Sequence, residues 1–257
     1  EIAVVRSVLA ASVTLRERLS LGAGLGLIYN RNTLQVPYIF QSHPVLSDFK
    51  TLLKLRTEGW GWNGLVGAHY APHDKVSLGL SYRTETRVDS EGNASGNAAA
   101  QLQALGGAFA GVRPDFHYDA SVVNTFPQVV SGGLSWQASP RARLVFQLDW
   151  VNWSDAFDDL EVKLSDGNNA DLNGFLGTDR IRDSIPLRWR DSVVGRAGAE
   201  FRLSESFTVR GGYSYGRNPV PHSTLSPLTA AIMEHALGAG LGWEQGRYRV
   251  DLAYQHD

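Results

Sequence analysis

The 257-residue sequence contains no cysteine and a single methionine. Without cysteine there is neither a disulfide framework nor a thiolate metal site. Charge of neither sign dominates: 24 Lys and Arg stand against 26 Asp and Glu, for a net −2, so no polyanion such as a nucleic acid is implied as a partner. Long apolar runs are also missing, and no stretch approaches the ~20 residues of a membrane-crossing helix. That absence excludes helical spans only, because β-strands cross a bilayer in alternating segments of roughly 10 residues. The chain opens at Glu1 without an initiator Met or a leader-like segment, and is expected to be either mature or a fragment.

What is present is alternation. In Asp191 to Pro221, Val193, Ala197, Ala199, Phe201 and Leu203 fall on one face. Arg196, Glu200 and Arg202 fall on the other, and Ser204-Glu205-Ser206 turns the chain. The return strand alternates Phe207, Val209, Tyr213 and Tyr215 with Thr208, Arg210 and Ser214. A period of two marks half-buried strands. The same hairpin recurs at Ala3 to Leu34, Glu58 to Arg87, Phe126 to Ser154 and Met233 to His256. This predicts about ten strands of roughly 10–14 residues, longer than the ~5–6 usual in soluble sheets.

Tight turns alternate with long connections at Gln35–Thr57, Val88–Thr125, Ala156–Leu187 and Gly216–Ile232. Short turns at one end and long loops at the other are expected of an all-β, transmembrane, antiparallel up-and-down β-barrel in a bacterial outer membrane. A soluble sandwich or propeller is the competing architecture. Tyr29, Tyr70, Tyr82, Trp136, Trp150, Trp153, Tyr213, Tyr215, Trp243 and Tyr254 lie near strand ends, where interfacial aromatic girdles would place them. In the loops, Ser47 to Leu55 and Ala98 to Ala110 read as short amphipathic helices.

Candidate chemistry is sparse. The seven histidines are scattered without HxH or HxxxH spacing, so no metal is expected. The glycines between Leu21 and Leu27 repeat every second residue and do not form a phosphate loop. Nothing points to an enzyme or a cofactor. The inward-facing arginines are the polar candidates: Arg83, Arg143, Arg196 and Arg210. Arg196, Arg202 and Arg210 can pair with Glu200, Asp191 or Asp251 across strands. An arginine left unpaired can instead hold a carboxylate headgroup while apolar residues take the tail. Phe49, Leu52, Leu53, Leu55, Leu102, Leu105 and Phe109 form apolar loop segments that either pack together or capture greasy solutes.

The stretches LSLGAGLGLIY (19–29), GWGWNGLVGAHYAPHDKVSLGLSYRT (59–84), WRDSVVGRAGAEF (189–201), FTVRGGYSYGRNPVP (207–221) and LGAGLGWEQGRYRVDLAYQH (237–256) follow one another in a familiar order. Together they resemble the outer-membrane long-chain fatty-acid transporter family (FadL-like), which includes aromatic-hydrocarbon uptake members. The resemblance implies a fourteen-stranded barrel plugged by an N-terminal hatch. Ten strands, the family's fourth to thirteenth, are expected in residues 1–257 as one partial barrel domain, without the hatch, the first strands or the last strand. It also implies passive passage of hydrophobic small molecules, chiefly long-chain fatty acids, by a monomer in contact with lipid or detergent. Arg31, in Tyr29-Asn30-Arg31, matches a family ligand-contacting element. Ile232-Met233-Glu234-His235 departs from the Asp-x-Asp-Arg of the fatty-acid members, which favours a hydrocarbon channel as the alternative. A structural or adhesive barrel is the other, and a lumen filled with salt bridges would favour it.

Overall fold

A computed structural model describes residues 2–40, 50–106, 111–225 and 233–257. Within them is one antiparallel sheet of fourteen strands. In chain order these are β1 (Ile2–Arg16), β2 (Leu19–Ile39), β3 (Lys50–His73), β4 (Val76–Arg83), β5 (Thr86–Asn97), β6 (Asp115–Phe126) and β7 (Val129–Ser139). There follow β8 (Ala142–Val151), β9 (Asp159–Ser165), β10 (Ile181–Pro186), β11 (Ser192–Arg202), β12 (Phe207–Gly216), β13 (His235–Gln245) and β14 (Tyr248–His256). Three short helices sit in the connections: α1 (Ala99–Leu105), α2 (Trp153–Ala156) and α3 (Ala170–Leu176).

Four pairs of strands are halves of single runs. β4 continues into β5 along β3, and β6 continues into β7 along β5 and β4. β8 leads through α2 into β9, and β10 leads into β11. The breaks fall at one level, since Arg83 pairs with Val129, Val129 with Val151, and Val151 with Ser192. The ten expected strands are therefore present as ten up-and-down runs, four of them broken. Among the described residues β1 pairs only with β2, and β14 only with β13.

Two corrections to the sequence reading arise at the loop end. Residues 50–55 are not helical: they open the 24-residue strand β3, and Ser47 and Phe49 lie outside the described residues. Thr51, Leu53, Leu55 and Thr57 are buried while Lys50, Leu52, Lys54 and Arg56 are exposed, a period of two. Pairing with β2 on one side and β5 on the other holds this segment extended. The connections Gln35–Thr57 and Val88–Thr125 likewise contain paired strand, because β2 runs on to Ile39 and β5 pairs with β6. The helix expected from Ala98 exists as α1, and α2 and α3 add to it. Asn169 explains where α3 begins. Its side chain accepts from Asp171 N and Leu172 N at 3.1 Å, and donates to the Arg113 and Asp115 carbonyls at 2.8 Å.

At the short-turn end the sheet's outward face is apolar and exposed: Leu9, Leu25, Val66, Leu80, Leu148, Val193, Leu241 and Leu252 all point away from the concave side. Aromatics bracket this band. On β3, Trp60 and Trp62 stand at one limit and Tyr70 at the other. Ten residue steps at about 3.3 Å, tilted by 35–45°, rise about 25 Å, the height of a barrel's lipid-facing band. Trp153, expected in a girdle, instead lies in α2 and packs on Phe157 and Trp189 at 5.4 and 5.1 Å.

The well-packed core lies at the other end. There β2, β3, β5, β6, β9 and β10 curl so that their inward residues meet: Phe40, Leu53, Leu55, Ala94, Phe116, Tyr118, Val122, Val162, Leu164 and Ile181, with Leu102 of α1. Close backbone approach needs glycine here. A Cβ on Gly92 would fall on the Arg56 carbonyl oxygen of the neighbouring strand.

Candidate functional site

Toward the turn end the inward face changes character. On β1 to β4 and β7 it carries Ala10, Ser12, Gly22, Gly67, Ser81, Ser131 and their like. Small side chains leave space, and a cavity of about 750 Å³ opens against them, with Leu65, His69 and Gln147 as its larger inward-facing groups. A second cavity of about 580 Å³ lies against β8, β11, β12 and β13.

Charges gather on the β8 to β14 side. Arg196 pairs with Asp149, which is buried and also accepts from Gln147 Nε2 at 2.8 Å. Arg210 bridges Glu200 and Asp251, each at 2.7 Å, and Arg249 adds a contact to Asp251 at 2.8 Å. The cross-strand pairing expected of Arg196 and Arg210 is thus present, with Asp149 as a partner not anticipated. Asp191 is not part of it, because it accepts from Ser154 Oγ at 2.8 Å. Arg143 donates to Ser135 Oγ at 2.7 Å.

Arg83 differs from Arg196 and Arg210. It faces inward, two residues beyond Ser81, and no carboxylate pairs with it among the described residues. Arg83 is partly buried, and the other charge that acts on it is Arg6 of β1. Arg6 is inward by register, on the same face as Ala10, and sequence reasoning missed it. The signal was its even position in β1, shared with Ser12 and Thr14. Arg31 is corrected: it pairs in register with Glu58 on the outward face, beside Tyr29, and does not line the lumen. Strand parity dictates this, since Asn30 and Asn32 occupy the buried face.

The apolar loop candidates separate in the same way. Leu53, Leu55 and Leu102 join the core at the loop end, whereas Leu52 points outward and is 45% exposed. Leu105 lies in α1, and Phe109 lies outside the described residues, as Phe49 does. Phe40, Phe116 and Tyr118 complete the cluster, unanticipated although Phe116, Tyr118, Ala120 and Val122 alternate in the sequence. Among the described residues no three His, Asp or Glu side chains come together as a metal site requires.

A polar clasp ties the two margins of this core. The Tyr38 hydroxyl of β2 donates to Asp183 Oδ2 of β10 at 2.7 Å. Burial, and next the bond to Asp183, push the Tyr38 phenol well above its ordinary range; burial raises Tyr118 as well. A phenol raised in the folded state contributes stability that is intact below its unfolded value of about 10, and that fades as pH climbs beyond it toward the raised value. An alkaline titration followed by tyrosinate absorbance is therefore expected to show late-ionising phenols. Tyr38→Phe should remove one of them and cost about 1–3 kcal/mol, because a buried carboxylate loses a donor.

The sequence profile of the outer membrane protein transport protein family (OMPP1/FadL/TodX) matches residues 2–256. Alkane uptake protein A of Marinobacter nauticus is 26% identical over 153 residues, covering 56% of this chain and 31% of that protein. The fold is similar to a Pseudomonas aeruginosa FadL homologue (TM-score 0.79, 20% identity, 99% of this chain and 59% of that one). It is also similar to the CymD monoaromatic hydrocarbon channel (0.73, 22%, 99% and 68%) and to the Ralstonia pickettii toluene transporter TbuX (0.72, 21%, 98% and 61%). The chain spans under a third of the curated relative and about three fifths to two thirds of these structures.

Proposed function

We propose that this chain, which belongs to the OMPP1/FadL/TodX family of outer-membrane transport proteins, carries hydrophobic small molecules passively through its lumen, and that long-chain fatty acids are among them. One observation carries the finer reading. Arg6 and Arg83 face inward beyond the residues lining the larger cavity and have no carboxylate partner among the described residues. Two guanidinium groups that face one lumen without a carboxylate attract a ligand carboxylate. The cavity offers apolar and neutral surface for the tail, and a hydrophobic ligand gains about 25 cal/mol per Å² of apolar area it buries. Arg196 and Arg210 are already occupied by the protein's own acids.

The test is uptake of a labelled long-chain fatty acid and a labelled alkane by cells carrying the full-length protein with Arg6→Gln and Arg83→Gln. Loss of charge-assisted hydrogen bonds worth about 1.5–3 kcal/mol should lower fatty-acid uptake at limiting concentration by roughly tenfold or more, and leave the alkane unaffected. Unchanged fatty-acid uptake would reject the carboxylate site.

A second reading, an uncharged hydrocarbon as substrate, is favoured by the cavity's lining, which contains no Asp, Glu, Lys or Arg. The names of the alkane uptake protein and of the toluene and monoaromatic hydrocarbon channels point the same way. In that case the double variant takes up alkane normally and the wild type takes up little fatty acid.

A further inference from the structure

Beyond the aromatic limit of the lipid-facing band, the outward face of β2 and β3 turns basic. Arg31, Arg56, Lys54 and Lys50 are all exposed there. None forms an ion pair among the described residues. Register places them in successive rows above Trp60. The first row holds Arg31 with Glu58 and Glu91, and Glu58 is engaged by the Tyr29 hydroxyl at 2.7 Å. On β2, β3 and β5 the next two rows hold no acid: Arg56 lies between Thr33 and Asn93, with Asp119 one strand further, and Lys54 lies between Gln35 and Ser95. Lys50 pairs with Ile39 at the top.

Arg56 is four residue steps beyond Trp60. At about 3.3 Å per step and a tilt of 35–45° that is roughly 10 Å above the aromatic ring. A flexible basic side chain reaches back down over part of that distance. This is the depth of lipid headgroups, just outside a hydrocarbon core about 30 Å thick. Farther along the same outer sheet acids outnumber bases, the latter being Lys163 of β9 and Arg182 of β10. Asp115 and Asp119 of β6 and Asp159 and Glu161 of β9 face outward, and Lys163 there is paired with Glu161 at 3.0 Å. The asymmetry excludes a general excess of positive charge as the reason for the ladder.

We infer that Arg31, Arg56, Lys54 and Lys50 form a binding surface for the phosphate groups of an anionic glycolipid in the outer leaflet. The inference rests on the membrane-spanning reading but not on what the lumen carries. Arg56 and Lys54 supply the two central charges. Thr33, Gln35, Asn93 and Ser95 supply neutral hydrogen-bonding groups beside them. Trp60 and Trp62, both exposed, lie below where the first acyl carbons of such a lipid would run. The contact fixes one flank of the barrel against its lipid.

Native mass spectrometry of the full-length protein in neutral detergent tests this with lipid A bearing both phosphates or neither. The wild type is expected to retain the phosphorylated lipid about tenfold more tightly than the dephosphorylated one. A Lys54→Gln, Arg56→Gln double variant should lose that preference, and Lys163→Gln should keep it. Heat-modifiable electrophoretic mobility reports that each variant is folded. If the double variant fails to fold, the same comparison is made with Arg56→Gln alone, for which a several-fold loss is expected. Equal retention of the two lipids by the wild type would overturn the inference. So would a folded double variant, or in its place the single variant, that binds as the wild type does. Complete displacement by millimolar inorganic phosphate would overturn it too, as that marks a site for free phosphate.

Discussion

Val66→Arg is expected to destabilise the protein in a bilayer by about 2–4 kcal/mol, the cost of a basic side chain facing lipid near the midplane. Val66 points outward from β3, four residues from Trp62 and four from Tyr70, and so sits midway between the aromatic limits of the band. Leu80 is outward and exposed on the neighbouring strand, and Leu80→Arg should behave in the same manner. Changes to inward charges should cost less, and in a particular order. Arg196→Gln leaves the buried Asp149 carboxylate with Gln147 as its remaining side-chain donor, for a loss of roughly 1–3 kcal/mol. Arg210→Gln releases Glu200 and Asp251, both substantially exposed to the lumen, and should cost under about 1 kcal/mol. Denaturant unfolding in lipid vesicles, followed by tryptophan fluorescence, measures all of these. An Arg210→Gln variant as unstable as Val66→Arg would mean that the two faces of the sheet have been exchanged.

Leu53→Ala should cost about 2–5 kcal/mol, since Leu53 is 2% exposed in the middle of the loop-end core and its truncation leaves a cavity. Its neighbour Leu52 is 45% exposed on the outer surface, and Leu52→Ser should fall within about 0.5 kcal/mol of the wild type. Limited proteolysis of the loop end, alongside denaturant unfolding, separates the two. If these leucines instead formed a capture surface free of the core, both changes would leave stability alone and both would slow uptake at low substrate concentration.

That contrast also shows how far the sequence could be read. Period-two alternation located the membrane strands, because an apolar outward residue recurs at every second position over ten or more residues. It sufficed as well for the pairing of Arg210 with Glu200 and Asp251 on adjacent strands, but not for Asp149 as the partner of Arg196. It failed at residues 50–55. There Leu52, Leu53 and Leu55 fit a helical face, while Thr51, Leu53, Leu55 and Thr57 fit a strand equally well. A segment so short is ambiguous by pattern, and its two sheet neighbours decide. Both neighbours are distant in sequence: Lys50 pairs with Ile39 across a connection, and Leu55 with Ala94. Arg31 was misplaced for a related reason. A motif match cannot override parity, since a one-residue shift sends a strand side chain to the opposite face. Tyr38 and Asp183 were out of reach altogether, because their hydrogen bond joins residues 145 apart in the chain.

The four aligned breaks have a geometric consequence. At the lipid-facing level ten strands stand side by side; past the breaks β1, β2, β3, β5, β6, β9 and β10 run on, while β12 and β13 end at Gly216 and His235. With neighbours about 4.8 Å apart, the loss of those two strands draws the wall in by about 10 Å. Hydrogen-bond spacing does not compress, so a sheet can draw in only by dropping strands and by taking tucks in those that remain. Thr84-Glu85, Pro127-Gln128, residues 152–158 and residues 187–191 are the tucks. Above them the neck is narrow enough for opposing side chains to touch, and inward positions are filled by Leu, Phe, Tyr and Val. Below them no apolar core forms among the described residues, and the inward positions that follow the same alternation include Gly, Ser, Arg and Asp. One repeating pattern thus encodes a stopper and a hollow in the same strands, and the taper decides which of the two a given residue belongs to.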